Sequence, residues 1–139
     1  AAMSRNQALE KIGRAKLAYV LMKEGWQVGE AFDDGYDLLA HHSASNTVCR
    51  IELKTMDIDN RSKGVNLTAP VSPTERNHCT HIVVYVEPKG WFFIARKDRI
   101  LTDAGNIFAA INENGELRKP RGESKSFAKF QNAWGQLLE

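Results

Sequence analysis

The eight residues from Thr47 to Lys54 alternate in character, with Val48, Arg50, Glu52 and Lys54 on one set of positions and Cys49, Ile51 and Leu53 on the other. Side chains along a strand point to opposite faces in turn, so a strand here gathers Glu52 and Lys54 on one side and an apolar row on the other. That pattern commits the chain to a sheet whose apolar face is covered. Fifteen residues before Glu52 stands Asp37, at the head of the apolar run Leu38-Leu39-Ala40. His41 to Asn46 reads as a polar hairpin loop, and pairing across it would bring Asp37 close to Glu52. Carboxylates held together repel, and proteins tolerate this mainly where a cation sits between them. The constellation reads as a metal site with a lysine beside it.

The remaining elements frame that hairpin. Ser4 is a candidate N-cap for a helix over 4–24, with Leu9, Ile12, Lys16, Leu17, Val20 and Leu21 at helical spacing and Gly25 as its stop. Trp26-Gln27-Val28 predicts a first strand, followed by the turn residues Asp33-Asp34-Gly35. Asp33 and Asp34 compete with Asp37 as the first acid, but their place beside Gly35 suits turn geometry better. After Lys54 the chain reads as an exposed loop with a short strand at Val65-Asn66-Leu67. Ser72-Pro73-Thr74-Glu75 then combines an N-cap, a proline at the first helical position and a glutamate at the third, which starts a short helix. His81 to Val86 predicts a buried strand, turned by Pro88-Lys89-Gly90 into a partner over Trp91 to Ala95. Residues 97–110 predict one or two helical turns, 112–126 a loop, and 127–138 a closing helix. The order describes an α/β fold, a mixed sheet flanked by helices.

At 139 residues, 42% hydrophobic and 26% charged, the chain has the composition of one globular domain over 4–139, with Ala1-Ala2 ahead of Met3 read as a cloning remnant. No membrane span or secretory signal is visible in the sequence, and two cysteines, Cys49 and Cys79, are too few for a disulfide framework. A cytoplasmic location is the expectation. The net charge of +2 is mild, but basic residues cluster at Arg118, Lys119, Arg121, Lys125 and Lys129, and again at Arg61 and Lys63 just after the Glu52 strand. Arg61, Lys63, Arg118, Lys119, Arg121 and Lys125 are the candidates for nucleic-acid phosphate contacts.

A leading helix, an aspartate entering a strand, Glu-x-Lys on the next strand, then a helix and a further strand: this arrangement resembles the PD-(D/E)XK nuclease superfamily over roughly residues 5–95. The resemblance implies a restriction-endonuclease-like αβββαβ core. It puts Asp37 in the place of the first acid, Glu52 in that of the second and Lys54 in that of the lysine. Tyr36 stands where the family often has proline, a residue that does not touch the metal. Glu10 resembles an extra acid that some branches, including archaeal Holliday-junction resolvases, contribute to the metal site. Asp37, Glu52 and the main-chain carbonyl of Leu53 could ligate Mg2+, with Mn2+ as a substitute, because magnesium takes hard oxygen ligands and keeps several waters. The function implied is a metal-dependent endonuclease acting on duplex or branched DNA, with a homodimer as the expected assembly. A nucleic-acid-binding or assembly module without turnover is the alternative, and an enzyme or structural subunit unrelated to nucleic acid a third. Zinc at His78-Cys79-Thr80-His81 with His41-His42 is weaker, since no second paired-ligand half exists. Taken alone, Glu52 and Lys54 are an ordinary surface pair.

Overall fold

The computed structural model describes residues 2–31, 35–60, 66–102, 104–111, 116–118 and 128–139. Helix α1 (Arg5–Lys23) begins at a reciprocal cap: the Ser4 hydroxyl accepts the Gln7 N–H at 3.1 Å, and the Gln7 side chain accepts the Ser4 N–H at 2.9 Å. It stops at Gly25, whose φ of +89° suits glycine. Its buried residues, Leu9, Gly13, Leu17 and Leu21, recur every fourth position and form a narrow seam. Ile12, expected on the apolar face, is 45% exposed. The seam runs through Gly13 instead, where an added Cβ would lie 2.8 Å from Thr55 Cγ2 and 3.2 Å from the Tyr85 ring.

Three antiparallel strands follow: β1 (Trp26–Glu30), β2 (Leu38–His42) and β3 (Thr47–Asp57). The β2–β3 turn occupies Ser43 to Asn46, so His41 and His42 belong to the strand rather than to the loop. The chain then passes through a 3-10 turn at Ile58–Asn60, strand β4 (Asn66–Pro70) and helix α2 (Pro73–His78). It returns as β5 (His81–Glu87), parallel to β3 with Glu52 opposite Ile82 and Lys54 opposite Val84. Parallel neighbours require such a crossover, and α2 lies within it. Strand β6 (Trp91–Arg96) completes a mixed five-stranded sheet in the order β1-β2-β3-β5-β6.

The core has two layers, because β5 is buried on both faces. Val83 and Tyr85 join Leu38, Cys49, Ile51 and the seam of α1. Ile82, Val84 and Val86 pack with Phe93, Ile100, Ile107 and Phe130 on the other side. A strand covered on both faces reads as a continuous apolar run, which is what His81 to Val86 presents.

Further stretches differ from the sequence expectation, including the loop expected over 112–126, which holds the short strand Leu117–Arg118. Helical turns over 97–110 shrink to the single turn α3 (Lys97–Ile100), and β7 (Asn106–Ile111) follows. It pairs antiparallel with β4 and with β8 (Leu117–Arg118) to form a second, three-stranded sheet. The closing helix over 127–138 is instead two 3-10 turns, Ala128–Phe130 and Trp134–Leu138. Between them Asn132 has φ +53°, its N–H donates to the Phe92 carbonyl at 2.9 Å, and Gln131 bridges to Phe93. Alignment beside β6 outweighs helical spacing here. Phe130 and Leu137 are buried nonetheless, and Trp134 packs on Phe92 at 5.3 Å between ring centroids. Phe127 lies outside the described residues. No helix among the described residues is long and apolar enough to cross a membrane.

Candidate functional site

Asp37 immediately precedes β2, and its backbone is tied on both sides. Its N–H donates to the Ile51 carbonyl at 2.8 Å, and its carbonyl accepts the Ala31 N–H at 3.1 Å. The carboxylate is tied as well, since Oδ2 accepts the Leu53 N–H at 2.7 Å. The other oxygen, Oδ1, lies 3.8 Å from Nη2 of Arg14 on α1.

On β3 the alternation places Glu52 and Lys54 on one face, with Lys54 Nζ 3.4 Å from Glu52 Oε1. The same ammonium donates to Glu75 Oε2 at 2.9 Å. Glu75 is the third residue of α2, and its Oε1 accepts the Ser72 N–H at 2.8 Å. The cap that starts α2 therefore also aims a carboxylate oxygen at Lys54. Glu52 is only 5% exposed.

These groups line a cavity of about 280 Å³ between α1, β3 and α2, where Glu10, Arg14, Asp37, Glu52, Leu53, Lys54, Thr55 and Glu75 meet. A neighbouring hollow of about 270 Å³ shares Arg14, Asp37, Glu52 and Glu75 and adds Tyr36 and Glu30. Larger hollows, about 420 Å³ between α1 and β1 and about 590 Å³ beside Phe130, contain none of Asp37, Glu52 and Glu75. The sequence candidates Asp37, Glu52, Leu53, Lys54 and Glu10 thus come together at one cavity.

Arg14 and Glu75 were not singled out from sequence. Glu75 was accounted for by its capping role, which hid its second contact. Arg14 lies four residues after Glu10, on the same helix face, and that spacing was the available signal. Arg118 falls on β8, while Arg61, Lys63, Lys119, Arg121, Lys125, Asp33 and Asp34 lie outside the described residues. The histidines weighed for zinc each have a local partner: His41 with Asn46, His42 with Ser45, His78 with the Thr74 carbonyl, and His81 with the Gln136 carbonyl.

Four carboxylates and two cations face the first cavity, a formal excess of two negative charges. Burial pushes Glu52 up to about 9; its hydrogen bond to Glu75 and the charge on Asp37 add to the rise, and Lys54 opposes it. Burial would raise Glu75 too, but hydrogen bonds from Glu52, the Ser72 amide and Lys54 prevail and hold it well below the usual carboxylate range. Burial works against the charge on Lys54, yet the hydrogen bond to Glu75 and the charge on Glu52 raise its pKa overall. Burial thus favours the protonated form of Glu52, while the donors around Glu75 favour its carboxylate.

An all-oxygen donor set with surplus negative charge fits a hard divalent cation. Among the described residues no three His, Cys, Asp or Glu side chains already converge in ligating geometry. The protein would thus supply a few oxygens and leave the rest to water and substrate, as magnesium commonly requires.

No protein-family model matches the chain, and no curated protein matches it. Solved structures do. A bacterial homing endonuclease, I-Ssp6803I, is similar with a TM-score of 0.70 at 19% identity, over 98% of this chain and 93% of its own. Hjc, a Holliday junction resolvase from Archaeoglobus fulgidus, is similar with a TM-score of 0.49 at 16% identity, over 80% of this chain and 86% of its own.

Proposed function

We propose that this chain, which has the restriction-endonuclease-like fold of the PD-(D/E)XK nucleases, is a metal-dependent endonuclease hydrolysing DNA phosphodiester bonds. The observation that carries the reading is Lys54, held within 3.4 Å of Glu52 and 2.9 Å of Glu75 at the edge of an oxygen-lined, net negative cavity. In this reading Asp37, Glu52 and the Leu53 carbonyl hold Mg2+, or Mn2+ in its place, and Glu10 adds a further oxygen. The cation, when bound, polarises the phosphate and acidifies a water near neutral pH.

The chain's own groups do the rest. Glu52 must release its proton to become a ligand, and two nearby carboxylates make that favourable only when positive charge arrives. Lys54 stays protonated and donates to the attacking water or to the charge gathering on phosphorus. The water oxygen bonds to phosphorus as the bond from phosphorus to one bridging oxygen breaks. That oxygen leaves with a proton, and the water's remaining surplus proton passes to solvent. Arg61, Lys63, Arg118, Lys119, Arg121 and Lys125 serve as contacts to flanking phosphates, and a homodimer would offer one site to each strand. Two buried thiols, Cys49 and Cys79, suit a reducing cytoplasm.

Plasmid nicking tests the proposal. Wild type with magnesium should convert supercoiled DNA to open circles, and a chelator should stop it. Lys54→Ala should lower the rate by about a hundredfold or more. Asp37→Asn, which keeps an oxygen for the Leu53 amide, should do the same. Undiminished cleavage by either variant removes the assignment. Duplex binding without any nicking by wild type would favour a binding module on the same fold.

A further inference from the structure

Among the described residues, Arg14 at this cavity carries a buried polar atom without a partner. Its Nε is buried and has no hydrogen-bond partner among the described residues. Its closest acid, Asp37 Oδ1, is 3.8 Å from Nη2, beyond hydrogen-bond reach. A guanidinium carries five donors in a fixed fork, and a buried donor left unpaired is unfavourable. Arg14 nevertheless borders the acidic cavity and both of the hollows that adjoin α1 and β1. Its side chain keeps 37% exposure, so a ligand can reach it.

Oδ2 of Asp37 already accepts the Leu53 amide at 2.7 Å, which leaves Oδ1 the freer of its two oxygens. The freer oxygen is the one facing Arg14. A cation entering the cavity and Arg14 therefore compete for the same atom. We infer that Arg14 is an exchangeable counter-ion: it neutralises Asp37 while the cavity lacks a metal, and on loading turns its fork to a non-bridging oxygen of the scissile phosphodiester. The planar fork matches phosphate oxygens, which a lysine cannot engage in the same two-point manner. The phosphate half of the inference rests on the nuclease reading; the exchange half does not.

Calorimetric titration of metal-free protein with Mn2+, alongside cleavage of duplex and branched DNA in saturating Mg2+, tests both halves. Arg14→Gln removes the competing charge, so it should bind Mn2+ about threefold to tenfold tighter while its kcat falls about a hundredfold. Arg14→Lys should bind Mn2+ like wild type and recover only part of the lost kcat. A purely structural arginine would move metal affinity downward or not at all, and either result overturns the exchange. Cleavage by Arg14→Gln at the wild-type rate overturns the phosphate contact. Should wild type cleave neither duplex nor branched DNA, the nuclease reading and the phosphate contact fall together, and the Mn2+ titration still decides the exchange.

Discussion

Replacing Glu52 with glutamine should stabilise the metal-free protein while abolishing its cleavage. Burial, Glu75 and Asp37 lift the folded-state pKa of Glu52 from 4.5 to about 9. Between those values the folded protein must carry a proton that the unfolded chain has released, so stability falls as pH rises through that window. Glu75 is shifted the other way, and its contribution is lost only as pH drops below 4.5 toward its depressed value. Above about pH 5 the Glu75 contribution is constant, and that of His81, whose pKa burial lowers, is common to wild type and variant, so their difference reports Glu52. At about 1.4 kcal/mol per pH unit, the penalty is under about 1 kcal/mol near pH 5 and about 3 kcal/mol near pH 7. Glutamine keeps the shape of the protonated acid and donates its amide to Glu75, so Glu52→Gln should recover this energy. For a chain of this size that is a rise in Tm of roughly 10 °C near pH 7, shrinking to a few degrees near pH 5. Thermal melts in chelator across that range are the assay. Added magnesium should raise the wild-type Tm and leave the variant unmoved. A variant that melts below wild type, or a gain that does not grow with pH, would refute the reasoning.

Gly13→Ala sets a methyl 2.8 Å from Thr55 Cγ2 and should cost about 1–3 kcal/mol, read as a lower urea midpoint at unchanged slope. Leu137→Ala removes a fully buried side chain from the closing 3-10 turn and should cost about 2–5 kcal/mol by the same measurement. Cys49, pushed up to about 11 by burial, and Cys79, also raised by burial, should ignore Ellman's reagent in the native protein and react together in denaturant. A fast-reacting native thiol would contradict their placement.

The parts legible in the sequence were those set by local chemistry. Ser4 and Ser72 announce their helices because caps act within one turn, and the alternation through Thr47–Lys54 assigns faces without reference to any partner. What escaped depends on contacts between distant segments. Strand β7 carries Ile107-Phe108-Ala109-Ala110-Ile111, which has neither strand alternation nor a clear turn, and it is a strand because β4, some forty residues earlier, pairs with it. The closing segment has apolar residues at helical intervals, yet the Phe92 carbonyl and Phe93 draw Gln131 and Asn132 alongside β6. The candidate site divides the same way. Asp37, Glu52 and Lys54 follow from one hairpin, whereas Glu75 reaches Lys54 only because a parallel crossover swings α2 over β3.

The bond from the Leu53 amide to Asp37 Oδ2 makes one mechanical unit of two of the proposed ligands, the aspartate and the Leu53 carbonyl. Neither can retreat without dragging the other, so the aperture between them is stiff. A glutamate at 37 would overshoot by a methylene, about 1.5 Å, and either abandon the amide or displace the strand. In the proposed metal-binding reading, a stiff aperture would also discriminate by ionic radius. Magnesium sits about 2.0–2.1 Å from its oxygens and calcium about 2.3–2.6 Å, so calcium would have to prise apart atoms that the sheet holds in register.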